Sequence, residues 1–304
     1  QEMSESPFRI ISDIINNAYA SSRRAFEARS LEGYQEIARK QAELGSSYLD
    51  VNIDGTQALM VRPEEMQAFL PDLVPALQEA VSIPLCFDNP NINYHRVALD
   101  HYDASKGGRP ILNSVAASRE RLDEFYEMIR EYDTMVIVMA SEKFCDSGGE
   151  QCFAPDDVYQ VAKEWIQILS EKAGRSNEHL IFDTGLAPVG ADTYGLVNIG
   201  LDAMEMISAD PDFEGIHFSV GLSNFAWGSP KEARGQLEKA YLNLAGKRGL
   251  DFVLANPRNG LIPLDDNDPY VIGLINALNQ GRPLAGETQE DAGFRQAEEI
   301  MALF

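Results

Sequence analysis

A chain of 304 residues, 44% apolar and 24% charged, has the composition of a globular protein with a sizeable core. Its 48 acidic residues against 25 basic ones leave a formal charge of −23, which argues against nucleic acid or an anionic membrane surface as partners, since clustered Lys and Arg hold both. No apolar run approaches the ~20 residues that span a bilayer, no secretory leader pattern is visible, and three cysteines without a framework spacing (Cys86, Cys145, Cys152) are those expected of a reduced, cytoplasmic protein.

In chain order, strand-like runs fall at 8–15, 48–53, 84–88, 110–115, 134–139, 179–183, 215–222 and 250–255. Amphipathic helical patterns lie between them at 31–44, 63–80, 118–131, 155–173, 194–208 and 230–245. Several helices carry a proline and acids in a first turn, as in Arg62-Pro63-Glu64-Glu65 and Ala154-Pro155-Asp156-Asp157. Strands alternating with helices in this way predict a single-domain (β/α)8 barrel over residues 1–286, whose functional side chains sit at the C-terminal strand ends. Residues 287–304 read as an extra amphipathic helix outside the barrel, or as a tail. A doubly wound sheet shares the alternation, but no Gly-x-Gly-x-x-Gly follows the first strand.

Four apolar runs close on a carboxylate or carboxamide: Pro84-Leu-Cys-Phe-Asp88, Pro110-Ile-Leu-Asn113, His179-Leu-Ile-Phe-Asp183 and Gly221-Leu-Ser-Asn224. Parallel strands that end this way deliver polar groups to one rim. Paired carboxylates either exchange protons or accept hydrogen bonds from a ligand with a donor–donor edge. Each carboxamide offers both a donor and an acceptor, which suits a heterocycle with mixed edges. The competing reading is that each merely caps the helix or turn that follows, as Asp183-Thr184-Gly185 could. Asp50 and Asn52 alternate onto one side of the second strand, and Asn16, closing the first, joins the same ring. The four histidines are scattered and read as packing or surface residues; no Ser-His-Asp or Cys-His arrangement is visible. No zinc-like ligand spacing surrounds Cys145 and Cys152, so no metal is expected.

Together, Asp50-Val-Asn52, Leu85-Cys-Phe-Asp88-Asn-Pro-Asn91, Ile111-Leu-Asn113-Ser114, Ile181-Phe-Asp183 and Gly221-Leu-Ser-Asn224 resemble the pterin-binding methyltransferase family over about residues 8–260. That family comprises methyltetrahydrofolate:corrinoid protein methyltransferases and the folate domain of cobalamin-dependent methionine synthase, with dihydropteroate synthase a more distant member. The resemblance implies that Asp88, Asn113 and Asp183 bind the pterin ring of tetrahydrofolate or 5-methyltetrahydrofolate, and that Asn224 reaches N5, where the methyl is carried. It implies methyl transfer to or from the cobalt of a cobalamin (corrinoid) held on a separate protein, since this chain has no Asp-x-His-x-x-Gly motif, and it implies a homodimer. Bacterial one-carbon metabolism or demethylation is the setting it suggests. Two departures stand out: Asp13-Ile14 replaces the family's Glu-Arg pair, and Met139-Ala-Ser-Glu-Lys143 is unusual after the fifth strand. A dihydropteroate synthase would carry a Lys in the seventh-strand loop and an Arg-x-His at the end of the eighth strand, where this chain has Asn224 and Ala255-Asn-Pro257. A condensing enzyme of that kind and a non-catalytic folate-binding protein are the alternatives.

Overall fold

Successive side chains of a strand face opposite ways, and here both faces are apolar, which is the pattern of a parallel sheet covered on each side. The computed structural model describes residues 5–304. Its strands are β1 (Arg9–Ser12), β2 (Tyr48–Val51), β3 (Leu85–Asp88), β4 (Ile111–Val115), β5 (Met135–Met139), β6 (Glu142–Cys145), β7 (Gly148–Gln151), β8 (Leu180–Asp183), β9 (His217–Gly221) and β10 (Phe252–Ala255). Eight of them close into an all-parallel barrel in the order β1-β10-β9-β8-β5-β4-β3-β2, and β6 and β7 form a separate antiparallel hairpin. The expected (β/α)8 barrel is the observed fold.

One set of strand residues (Leu49, Val51, Leu85, Phe87, Leu112, Val136, Val138, Leu180, Phe182) packs outward against the helices. The alternate set (Ile11, Cys86, Ile111, Met135, Ile137, Ile181, Phe252, with Tyr48 and Met139) fills the barrel interior. This parity places Asp50, Asp88, Asn113 and Asp183 on the interior face, one or two residues above the apolar layer. At the opposite end the barrel is plugged. The Phe252 ring packs on Tyr48 and His217 with centroids 5.8 and 5.2 Å apart, Arg9 lies over it at 5.2 Å, and His217 Nδ1 meets Asp251 Oδ2 at 2.5 Å. The interior therefore opens only toward the C-terminal strand ends.

The strand ladders are shorter than their apolar runs suggest. β1 stops at Ser12 rather than at residue 15, because the Asn16 N–H turns back onto the Ile14 carbonyl. The helix expected from 118 begins at Leu122, after Arg121 in a left-handed conformation (φ 58°). Helices Ala20–Glu27, Ile92–Asp100 and Pro269–Gln280 lie outside the ranges named from the sequence; two start on Asn91 and Asp268 caps, ahead of short, weakly helical sequences. The β6–β7 hairpin occupies the stretch around Ser147-Gly148-Gly149 that reads as loop. It lies close against the β4 end, since a Cβ at Gly149 would come within 2.7 Å of the Ser118 nitrogen. Helix Gln289–Met301 does pack outside the barrel, with Gln296 Nε2 donating to the Val189 carbonyl at 3.0 Å. No helix among the described residues is long and apolar enough to cross a membrane.

Helix Leu196–Ser208 reaches the end of β8 through Gly200, where a Cβ would stand 2.7 Å from the Gly185 carbonyl oxygen. Gly200→Ala adds helix propensity worth about 1 kcal/mol. The backbone contact outweighs it, and the expected result is a loss of about 1–3 kcal/mol, read as a lower urea midpoint. An unchanged or higher midpoint would show that this close approach does not constrain the fold.

Candidate functional site

The interior rim divides into two halves. On the first, β2, β3 and β4 place Asp50, Asp88 and Asn113 together; Asp88 and Asn113 are register partners, and Asn113 Nδ2 points at Asp50 Oδ1 at 3.4 Å. Beneath them lies the buried thiol of Cys86. Burial pushes the Asp50 carboxyl well above its usual range, and the neighbouring Asp88 charge pushes it further. Asp88 is raised less, being hydrogen-bonded by Asp50 and Asn52 and facing Arg119. Burial thus favours the neutral form of this adjacent pair of carboxyls, most strongly at Asp50. Asp88 remains half-buried at the mouth, able to accept further N–H donors.

On the second half, Asp183 and Asn224 line one cavity of about 240 Å³ with Met139, Ser141, Gln151, Cys152, Gly185 and Gly221 among its walls. Burial raises the Asp183 carboxyl to about 6, partly offset by the Gly185 N–H, which donates to Oδ1 at 2.8 Å. The capping reading of Asp183 is therefore correct for one oxygen, and the carboxylate still faces the cavity. Asn224 ends the short turn Leu222–Asn224 after β9 and is exposed. Cys152 is a neutral wall, its thiol pushed up to about 12 by burial.

The remaining residues singled out from the sequence are arranged less directly. Asn52 donates to Asp88 and accepts from the Asp54 N–H at 3.1 Å, a supporting position. Asn16 lies beyond β1, its side-chain oxygen accepting from the Ala18 N–H at 2.9 Å within its own turn. Two contributors escaped the sequence reading. Arg119 reaches back to Ser114, its Nη2 2.9 Å from the hydroxyl, and supplies positive charge near Asp88. The β6–β7 hairpin supports Gln151 and Cys152 on the cavity wall. Neither carries a local sequence signal: Arg119 matters only through where it reaches, and the hairpin strands are mostly polar. Among the described residues no group of three or more His, Cys, Asp and Glu could hold a metal ion.

A barrel mouth carrying the desolvated carboxyls of Asp50, Asp88 and Asp183 and the carboxamides of Asn113 and Asn224, with no lysine or arginine lining the Asp183 cavity, is equipped to hold a flat heterocycle by its hydrogen-bonding edges. The chain belongs to the pterin binding enzyme family, which matches residues 12–256. It is 25% identical over 251 residues to the methylcorrinoid:tetrahydrofolate methyltransferase of Eubacterium limosum, covering 82% of this chain and 84% of the relative. Among solved structures it resembles the 7,8-dihydropteroate synthase of Vibrio fischeri ES114 (TM-score 0.57, 14% identity, 93% of this chain and 96% of that one). It also resembles the dihydropteroate synthase of Yersinia pestis (TM-score 0.57, 14% identity, 84% and 91%). At such identities these structures establish the fold.

A carboxyl raised from 3.8 to about 6 is disfavoured as an anion by about 3 kcal/mol at pH 7. The sign follows from the folded form binding its proton more tightly: Asp183 costs stability progressively as pH rises from about 4 to about 6, and fully above that. Asp183→Asn is expected to raise the melting temperature of the ligand-free protein at pH 7 while weakening pterin binding roughly 10- to 100-fold, the worth of a charged hydrogen bond. In the wild type, binding should decline as pH falls below about 6. A variant that is neither more stable nor weaker in binding would remove Asp183 from the site.

Proposed function

We propose that this protein transfers a methyl group between the cobalt of a separate corrinoid protein and N5 of tetrahydrofolate. The observation that carries this reading is the neutral Asn224 on the cavity shared with Asp183, in a lining free of lysine and arginine. A condensing enzyme of the dihydropteroate synthase kind expels pyrophosphate, which calls for cations at that place; the solved neighbours share the barrel without deciding its chemistry. The name of the Eubacterium limosum relative supports the methyltransferase reading and the direction from corrinoid to tetrahydrofolate.

In this proposal Asp88 and Asp183 accept from the amino and ring N–H groups of the pterin, with Asn113 reading a mixed edge and Asp50 and Asn52 holding Asp88. Asn224 orients N5 by its carboxamide. The N5 lone pair forms the new N–C bond, the Co–C bond breaks with its electron pair remaining on cobalt as Co(I), and the N5 proton leaves to water. In the reverse direction N5 must regain that proton as it departs. A carboxamide does not supply one at neutral pH, so water brings it while Asn224 stabilises the developing N–H.

Exposed apolar side chains ring the mouth on loops that follow barrel strands: Met60, Phe153, Tyr194, Trp227 and Ile262. Phe153 and Tyr194 pack together with centroids 5.3 Å apart. Such a collar suits a protein partner that brings a large, largely apolar macrocycle to N5.

Asn224→Ala should lower the rate of transfer from methylcobalamin to tetrahydrofolate by about 100-fold while changing the folate Kd less than threefold, the split expected of a group used mainly in the transition state. Equal losses in both would remove it from N5. Trp227→Ala should raise KM for the protein-borne methyl donor and leave folate affinity unchanged; tight folate binding with no turnover on any corrinoid donor would favour a binding protein instead.

A further inference from the structure

We propose that Asp13 is a positioning residue that grips the Asn224 loop through Ser223, and that buried Glu238 beside it controls how firmly the grip is held. The role given to Asn224 rests on the methyl-transfer reading; the grip itself does not.

The loop after β9 has two anchors from distant parts of the chain. The Val189 N–H donates to the Phe225 carbonyl at 2.9 Å, and Ser223 Oγ donates to Asp13 Oδ2 at 2.5 Å. Ser223 immediately precedes Asn224 within one short turn, and the next turn is closed by the Trp227 N–H on the Asn224 carbonyl at 3.1 Å. Fixing Ser223 therefore fixes the backbone that carries Asn224. Asp13 is itself well founded: its N–H donates to the Ala255 carbonyl at 3.2 Å where the first and last strands meet, and Tyr19 lies beside its carboxylate. Its other oxygen, Oδ1, is buried without a partner.

Glu238 projects from helix Lys231–Gly246, which follows the gripped loop, and is only 7% exposed. Its side-chain bond is a long one, from Asn259 Nδ2 at 3.5 Å. Two acids, Glu238 buried and Asp13 half-buried, thus share a corner with few donors. Facing Glu238 are Asp13 and Tyr19 from the β1 side, and Arg234 and Lys239 from its own helix. Burial raises the Glu238 carboxyl to about 7, with the Asp13 charge adding to it and Asn259, Arg234 and Lys239 partly offsetting it. Burial also raises Asp13, against the bonds from Ser223 and Tyr19, while Tyr19 is pushed up to about 12 and stays a donor.

The sign is then fixed. Below about pH 7 Glu238 is neutral and adds no charge to the corner in which Asp13 holds the Ser223 hydroxyl. As pH rises through 7 Glu238 ionises beside Asp13, and two poorly solvated like charges favour letting water in or drawing apart, which loosens Ser223. The loop is held best on the acid side of that transition.

Trp227 lies on the gripped loop and is exposed, whereas the other tryptophan, Trp165, is buried in the core, so acrylamide quenching reports the loop without reference to turnover. Trp227→Phe assigns the signal. Quenching of the wild type should increase as pH rises through about 7, Glu238→Gln should abolish that step, and Ser223→Ala should show high quenching at every pH. Superimposable wild-type and Glu238→Gln quenching profiles would overturn the proposal. In single-turnover transfer from methylcobalamin to tetrahydrofolate, Asp13→Asn should slow the reaction roughly tenfold with folate Kd within threefold, as expected for a misplaced group rather than a lost binding contact. Parallel loss of rate and folate affinity would make Asp13 merely structural. If the wild type transfers no methyl, the proposed function fails, and the quenching profiles still decide the grip.

Discussion

The rest of the site depends on one constraint: carboxylates stand at interior positions of a closed barrel directly above an apolar layer. Ile11, Cys86, Ile111, Ile137 and Ile181 leave little below the rim to solvate a charge, so Asp50, Asp88 and Asp183 are all pushed toward their neutral forms. Arg119 offers only partial relief to Asp88. The folded protein therefore carries an unfavourable charge distribution that a ligand rich in N–H donors would relieve on binding. Such tension between stability and ligand affinity is a mark of a working site rather than of a packing accident.

Topology turns that local constraint into a shared one. Because every barrel strand runs the same way, each apolar run that closes on Asp or Asn closes at the same rim. The register sets Asp88 beside Asn113, and Asp183 between Met139 and Ser219. A shift of pairing between Asn113 and Val115 marks the strand that joins the β2–β4 half of the rim to β5. The plug of Phe252, Tyr48 and His217 closes the far end, leaving one route in.

Strand-end polarity was legible in the sequence because period-two alternation needs no tertiary information. Eight strand runs could be placed from apolar pattern alone, and Asp88 and Asp183 end theirs as expected. Their lengths could not, since Ile14 and Ile15 keep strand-like character after the ladder has ended, and Ile15 is buried outside it. The β6–β7 hairpin was hidden for a related reason: its four-residue strands are polar and half-exposed, held by contact with Ser118 more than by propensity. Arg119, Asp13 and Glu238 were invisible as site neighbours because their significance is a matter of juxtaposition. Asp13 and Ser223 are 210 residues apart, and a Glu in an amphipathic helix reads as solvated until the fold shows it buried.

The two halves of the rim differ in kind, and the difference suits a two-substrate reaction. The Asp50–Asp88–Asn113 half is built from barrel strands locked in register, a rigid edge against which a ring can be oriented. The Asn224 half is a loop suspended from two anchors, at the side where an aromatic collar is exposed. On the methyl-transfer reading, the rigid half would keep the pterin while the suspended half adjusts to whatever brings the methyl. A carboxamide keeps the same charge whichever way the methyl moves, so Asn224 imposes no direction of its own. Direction then falls to the methylation state of the incoming corrinoid, and on this reading the protein contributes geometry and a neutral hand at N5.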